Sequence, residues 1–160
     1  MDKKIISSAA FFGMGMAQQL NEPVGIVCTS GSASLNYYPA IAEAYYQCIP
    51  LVVITADRPI EWVDQGDGQT IVQNDVFKNH IRYSCQFSEK INSDDEKWYM
   101  QREIAIAFSE GNAVWKGPIH FNVALNEPLY ETTTIEVGAS RKLEIIHGFF
   151  QFNSAQSIEI

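Results

Sequence analysis

Basic residues are scarce in this sequence. Lys and Arg number 11 against 19 Asp and Glu, which leaves a formal net charge of -8 over 160 residues. Phosphate backbones are gripped by clustered Lys and Arg, so this balance argues against nucleic acid and anionic membrane surfaces as partners. One well-placed Arg can still meet an anionic substrate, because a local charge overrides a global field. Cysteine is scarce as well. Cys28, Cys48 and Cys85 are an odd number at no metal-ligand spacing, which fits a reducing, cytoplasmic compartment. Cys28 and Cys48 sit in apolar runs and read as small buried hydrophobes. No apolar run is long enough to span a bilayer, so no integral membrane segment is expected. The N-terminus places charge before an apolar stretch, as a signal peptide would. Ser7, Ser8, Gly13 and Gly15 interrupt that stretch, and no signal is read there. His80 and His120 are singletons, and no Ser–His–Asp set, Cys–His cluster or pair of carboxylates stands out.

What is present is a packed domain. Hydrophobic residues make up 46% and charged residues 19%, ordinary values for a globular core. The length suits one domain. Residues 8 to 20 are rich in Ala, Met and Phe and predict a helix apolar nearly all round, hence buried. Asn21, Glu22 and Pro23 stop it. Val24 to Thr29 predicts a buried strand, followed by a turn at Thr29-Ser30-Gly31-Ser32 with Ser32 placed to cap a helix over 33 to 47. Leu51 to Ala56 is a second continuous apolar strand. Strand, turn, helix and strand within about 30 residues make a βαβ unit. Continuous rather than alternating apolar strands predict an α/β fold, a parallel sheet with helices on both faces. Further strands are expected at 81 to 87 and 119 to 125. A helix is expected over 94 to 110, capped by Asp94 or Asp95, with Trp98, Ile104, Ala105 and Phe108 as its core stripe. Residues 131 to 160 read as a linker or tail.

In open parallel sheets, ligands sit beyond the carboxyl ends of the strands. That rule puts the Thr29 to Ser32 turn beside Asp57-Arg58-Pro59 at one rim. The turn combines hydroxyls, a Gly that lets backbone approach a ligand, and a helix start; it is also what an ordinary strand-to-helix turn looks like. Arg58 is either half of a local ion pair with Asp57 or a planar fork offered to a carboxylate. No Gly-Lys-Ser/Thr follows the turn, so a nucleoside triphosphate is not implied. Gly66-Asp67-Gly68 resembles the opening of a metal and diphosphate motif. It lacks the apolar strand before it and an Asn at the set distance after it, so it is read as a loop and not as a metal site. His120 lies between Ile119 and Phe121 and reads as a satisfied core histidine.

Taken together, the blocks Ser8 to Ala17, Cys28 to Ala40, Glu43-Ala44-Tyr45, Thr55-Ala56-Asp57-Arg58-Pro59, Gln69 to Gln73, Gly117 to Val123 and Glu127-Pro128-Leu129-Tyr130 resemble the SEPHCHC synthases of menaquinone biosynthesis. They come in that family's order over roughly residues 8 to 130. The resemblance implies a pyrimidine-binding domain of a thiamine-diphosphate enzyme over 8 to 130, with residues 1 to 7 outside family sequence. It implies a transferase that decarboxylates 2-oxoglutarate and adds a succinyl unit to isochorismate. Thr29, Ser30, Gly31 and Ser32 would line the cofactor's aminopyrimidine. Arg58 would meet a substrate carboxylate, and Gln69 would supply hydrogen bonds. The diphosphate and Mg²⁺ would be held by the diphosphate-binding domain of another subunit in a homo-oligomer, since this chain carries no metal site of its own.

The departures from the family are specific. The family has a Glu that bonds the pyrimidine N1′, and counting back from Ser8 places Ile6 there. Isoleucine can neither accept nor donate that bond, so no catalytic residue is assigned. General acid–base assistance is worth roughly 100- to 10,000-fold. The family's first strand and Gly-Ser-Arg-Ser loop have no counterpart here. The chain is therefore expected to be a truncated reading frame or a piece of a longer protein, inactive alone and of marginal stability because a strand edge is uncovered. Two other readings stay open: a small subunit of a split thiamine-diphosphate 2-oxoacid decarboxylase, and a non-catalytic interaction module that kept the fold.

Overall fold

The computed structural model describes residues 3–126, 142–146 and 149–153. The chain divides into two compact units, Met1–Glu127 and Pro128–Ile160. In the first unit, four strands make one parallel sheet: β1 (Val24–Cys28), β2 (Leu51–Asp57), β3 (Tyr83–Ser88) and β4 (Ile119–Ala124), in the order β1-β2-β4-β3. The helices are α1 (Lys3–Leu20), α2 (Ser32–Leu35), α3 (Tyr38–Tyr46) and α4 (Asp94–Gly111). The α/β class and the βαβ unit expected from the apolar runs are both present: β1 and β2 are parallel neighbours, with Cys28 opposite Thr55.

Two apolar layers hold the sheet. On one face, Ile26 and Cys28 of β1 and Leu51 and Val53 of β2 pack with α1 and α3 through Ala10, Ala17, Ala40, Ile41 and Ala44. On the other, Val52, Cys85, Ile119 and Phe121 pack with Ala107 of α4. Strand β4 alternates accordingly. Ile119 and Phe121 join the α4 layer, while His120 packs on Phe77 of the opposite layer at 4.8 Å between ring centroids. Both faces of a strand are then covered, which is why its residues 119 to 122 are all buried.

Three expectations need correcting. The helix over 33 to 47 is two helices, separated at Asn36 and Tyr37. Pro39 stands in the first turn of α3; it has no N–H to donate, and in a continuous helix its ring would clash with the carbonyl of Leu35. Helix α1 is buried along one stripe only. Ile6, Ala10, Gly13 and Ala17 face the sheet, whereas Phe12 is 72% exposed, and Phe11, Met16 and Leu20 are exposed as well. Small residues on the inner stripe allow this close approach: a Cβ on Gly13 would lie 2.6 Å from Ile26 Cγ2. Helix α4 is capped by Ser93, whose Oγ accepts from Glu96 N at 3.1 Å, rather than by Asp94 or Asp95. Its buried stripe is Glu103, Ala107 and Gly111, with Ile104 packed beside it; Trp98 and Phe108 are exposed.

The stretch expected to be a linker or tail contains an antiparallel pair, β5 (Lys142–Ile146) and β6 (Phe149–Asn153), in register from Lys142–Asn153 to Ile146–Phe149. No helix among the described residues is long and apolar enough to cross a membrane.

Candidate functional site

The parallel register carries the ends of β1 and β2 to the same rim, so the turn after Cys28 and the Asp57-Arg58-Pro59 segment are neighbours, as the sheet rule requires. Within the turn, Ser30 and Gly31 are buried and Thr29 and Ser32 are exposed. Gly31, not Ser32, occupies the N-cap position of α2, with φ 74° and no side-chain cap. Ser34 Oγ donates to Gly31 O at 2.9 Å and steadies the turn from inside the helix. A Cβ on Gly31 would fall 2.5 Å from the Gln69 carbonyl oxygen. The missing side chain therefore makes room for the protein's own backbone, where the sequence suggested room for a ligand.

Gln69 reaches this rim through its backbone, in a left-handed conformation with φ 57°, and its side chain is exposed. Arg58 is half-buried and donates from Nε to Asp67 Oδ2 at 3.0 Å. Asp67 also accepts from Thr70 Oγ1 at 3.2 Å. These bonds from Arg58, above the partial desolvation that opposes them, hold the Asp67 carboxyl below the usual carboxylate range. Arg58 thus makes an ion pair across the loop with Asp67. Asp57 instead turns inward, accepting the Arg58 backbone N–H at 2.8 Å and Asn122 Nδ2 at 2.7 Å. A cleft of about 310 Å³ opens beside this arrangement, lined by Arg58, Pro59, Trp62, Asp67 and Asn126. Small-molecule sites start at roughly 300 Å³, so a small acid is the right scale of guest. The cleft gathers Arg58 but neither Gln69 nor the Thr29 to Ser32 turn, which lie along the rim next to it.

Beneath the rim runs a buried polar network that motif reading missed. Gln73, 1% exposed, accepts the Gly31 N–H on Oε1 at 3.0 Å and donates from Nε2 to Ala56 O at 2.7 Å and Asn122 Oδ1 at 2.8 Å. Thr55 Oγ1 donates to Asn122 Oδ1 at 2.7 Å and lies 2.8 Å from His120 Nε2. Ser84 Oγ lies 3.3 Å from His120 Nδ1. Burial pushes His120 down to about 4, so it is a neutral, satisfied core histidine at pH 7 and not a proton shuttle on the surface. The available signal was modest: Thr55, Gln73, His120 and Asn122 are polar residues in or beside apolar runs, and buried polar groups need partners.

Ile6, at the position where the resemblance places a Glu, is 3% exposed and part of the apolar cluster between α1 and the sheet. For a thiamine-type cofactor, the rim offers the exposed hydroxyls of Thr29 and Ser32 to a ring, and these residues fit that half. The diphosphate half is not matched: among the described residues no group of three or more His, Cys, Asp or Glu is arranged for a metal ion. Asp67, the acid of the Gly-Asp-Gly segment, is engaged with Arg58.

Comparison with known proteins gives a family. The family described as thiamine pyrophosphate enzyme, N-terminal TPP binding domain, matches residues 7–79. That stretch holds the turn, Arg58 and Gln73, and it begins one residue after Ile6. A 2-succinyl-5-enolpyruvyl-6-hydroxy-3-cyclohexene-1-carboxylate synthase of Christiangramia forsetii is 54% identical over 137 residues, covering 78% of this chain and 24% of that protein. The synthase of the same name from Flavobacterium psychrophilum is 54% identical over 130 residues, 81% of this chain and 22% of that protein. The one from Porphyromonas gingivalis is 41% identical over 139 residues, 87% of this chain and 24% of that protein. The chain spans about a quarter of the length of the curated relatives it matches. Residues 7–79 belong to the thiamine pyrophosphate enzyme N-terminal TPP binding domains, in the form found in the 2-succinyl-5-enolpyruvyl-6-hydroxy-3-cyclohexene-1-carboxylate synthases.

Proposed function

We propose that this chain supplies the pyrimidine-holding part of a thiamine-diphosphate site in a synthase that decarboxylates 2-oxoglutarate and adds the succinyl unit to isochorismate, in cytoplasmic menaquinone biosynthesis. The observation that carries this reading is the Thr29 to Ser32 turn, packed on Gln69 and standing beside the Arg58 cleft at the carboxyl rim of a parallel sheet, inside the stretch the family matches. When bound, the cofactor supplies the electron sink for decarboxylation. The chain's own residues orient the ring, through Thr29, Ser30, Gly31 and Ser32, and receive a substrate carboxylate at Arg58, with Gln69 adding hydrogen bonds. The Arg58 guanidinium is held at Nε by Asp67 and lines the cleft.

Mg²⁺ and the diphosphate are assigned to the diphosphate-binding domain of another subunit in a homo-oligomer. The chain alone is inactive on this reading, because Ile6 stands where the family's Glu would bond the pyrimidine. The test is a chimera in which residues 8 to 126 replace the matching stretch of the Christiangramia forsetii synthase. Isochorismate-dependent product is expected, and a folded chimera without it would sink the assignment. Within an active chimera, Arg58→Ala should raise the KM for one carboxylate substrate by roughly ten- to a hundredfold, the worth of a lost charge-assisted bond. An unchanged KM removes Arg58 from the site.

A further inference from the structure

The buried carboxamide of Gln73 has bonding partners on three separate elements: the turn after β1, the end of β2 and the middle of β4. Its orientation is decided by two backbone groups of fixed polarity. Gly31 N–H can only donate, so it faces Oε1; Ala56 C=O can only accept, so it faces Nε2. The second hydrogen of Nε2 goes to Asn122 Oδ1, and Asn122 in turn donates to Asp57, whose other oxygen holds the Arg58 backbone N–H. One side chain therefore ties the Gly31 turn directly, and the Arg58 segment through Asn122 and Asp57, to the same point under the rim.

We propose that Gln73 is the positioning residue of this rim: it holds the Thr29 to Ser32 turn in its ring-binding shape before any ligand arrives. Three observations support the assignment. Gln73 is 1% exposed, so it reaches a ligand only through the groups it holds. Gly31 has φ 74° and lies against the Gln69 backbone; positive φ is freely open to glycine, so the shape of the turn is set by contacts from outside it. The N–H of Gly31 is the donor that Gln73 takes. A preformed site avoids the ordering cost of binding, so losing the hold should weaken binding without removing any ligand contact. The assignment of the ligand as a pyrimidine ring rests on the function proposed above; the hold on the turn does not.

The experiment separates the two. Amide hydrogen exchange is measured in the chain and in Gln73→Met, which keeps length and burial but removes both polar ends. Gly31 N–H should exchange at least roughly tenfold faster in the variant, the worth of one lost hydrogen bond. Val53, in the centre of the sheet, should keep its wild-type rate. Should Gln73→Met not fold, Gln73→Asn serves instead; it keeps the carboxamide but is one methylene short of bridging Gly31 and Asn122. An unchanged Gly31 rate, or equal acceleration at Gly31 and Val53, overturns the proposal. Thiamine is then titrated into both proteins while the amide signals of Thr29, Ser30 and Ser32 are followed. Saturating shifts in the wild type that weaken roughly tenfold in the variant support the whole assignment. Equal binding by both overturns the positioning role. Absence of thiamine shifts in the wild type defeats the ring reading alone, and the hold on the turn is then decided by the exchange rates.

Discussion

Thr55 Oγ1 lies 2.8 Å from His120 Nε2 and 2.7 Å from Asn122 Oδ1, and the two distances together decide the state of the imidazole. The hydroxyl has one hydrogen, and it points to Asn122 Oδ1, an oxygen that has none. Thr55 must then accept from His120, which places the imidazole proton on Nε2. Nδ1 is left as an acceptor for Ser84. Burial, rather than this bonding pattern, keeps the ring neutral at pH 7.

The pH dependence of stability follows from that. Burial lowers His120 from 6.5 to about 4 in the fold. Above 6.5 the ring is neutral folded and unfolded, and stability is full. As pH falls from 6.5 toward 4, the unfolded chain gains a proton that the folded chain refuses, and stability drops. The gap between 6.5 and about 4 corresponds to roughly 3 kcal/mol once the fall is complete. Urea unfolding at pH 7, 6 and 5 measures it. Equal stability at pH 7 and 5 would mean that His120 is charged or exposed in the fold.

Arg58 and Asp67 give a second titration. The Asp67 carboxyl sits low chiefly because Arg58 bonds it, so its contribution is present at neutral pH and fades as pH falls through its folded value. Carbon NMR of the Asp67 carboxyl should show a midpoint below the ordinary carboxylate range. Arg58→Leu should move that midpoint upward. A midpoint that stays put would assign the shift to Thr70 and Gly68 instead.

Thiol chemistry should report burial directly. Burial pushes Cys28 and Cys85 up to about 12, and both are buried, whereas Cys48 is partly exposed. Reaction requires thiolate and access. Native protein at about pH 7.5 should take up one maleimide, at Cys48, and three after unfolding. Labelling of Cys28 in the native chain would contradict its place in the core.

Ile6→Glu tests whether the position that departs from the family is a site or a core position. In this structure the new carboxylate would be buried among Ala10, Ile41 and their neighbours. An ionised group there costs several kcal/mol, and the neutral acid costs less. The variant should be destabilised by roughly 2 kcal/mol or more at pH 7 and by less near pH 4.5. Equal stability at the two pH values would show that the side chain finds solvent or a polar partner.

Much of the architecture was legible without coordinates. The apolar runs at 24 to 28 and 51 to 56, joined by a helical segment, determine a parallel βαβ unit; only the second is covered on both faces, since β1 stands at the sheet edge with Val27 64% exposed where a buried strand was expected. That order alone sends the Thr29 turn and Arg58 to one rim. The break at Pro39 was also written in the residues, since proline cannot continue a helix from Leu35. Residues 142–146 and 149–153, within the stretch read as a linker or tail, form strands β5 and β6.

Other features could be decided only by folding. Periodicity shows that α1 is apolar, but not that the sheet covers only Ile6, Ala10, Gly13 and Ala17 and leaves Phe12 outside. It cannot assign Arg58 to Asp67 rather than to adjacent Asp57, because an ion pair depends on where a loop returns. Nor can it join Gln73 to Gly31, 42 residues away. Apolar patterns are local and repeat along the chain, so the residues alone determine strands, helices and their order. Directional bonds between distant polar groups exist only once the backbone has brought donor and acceptor within about 3 Å, and that meeting, at the rim of this sheet, is what the tertiary structure decided.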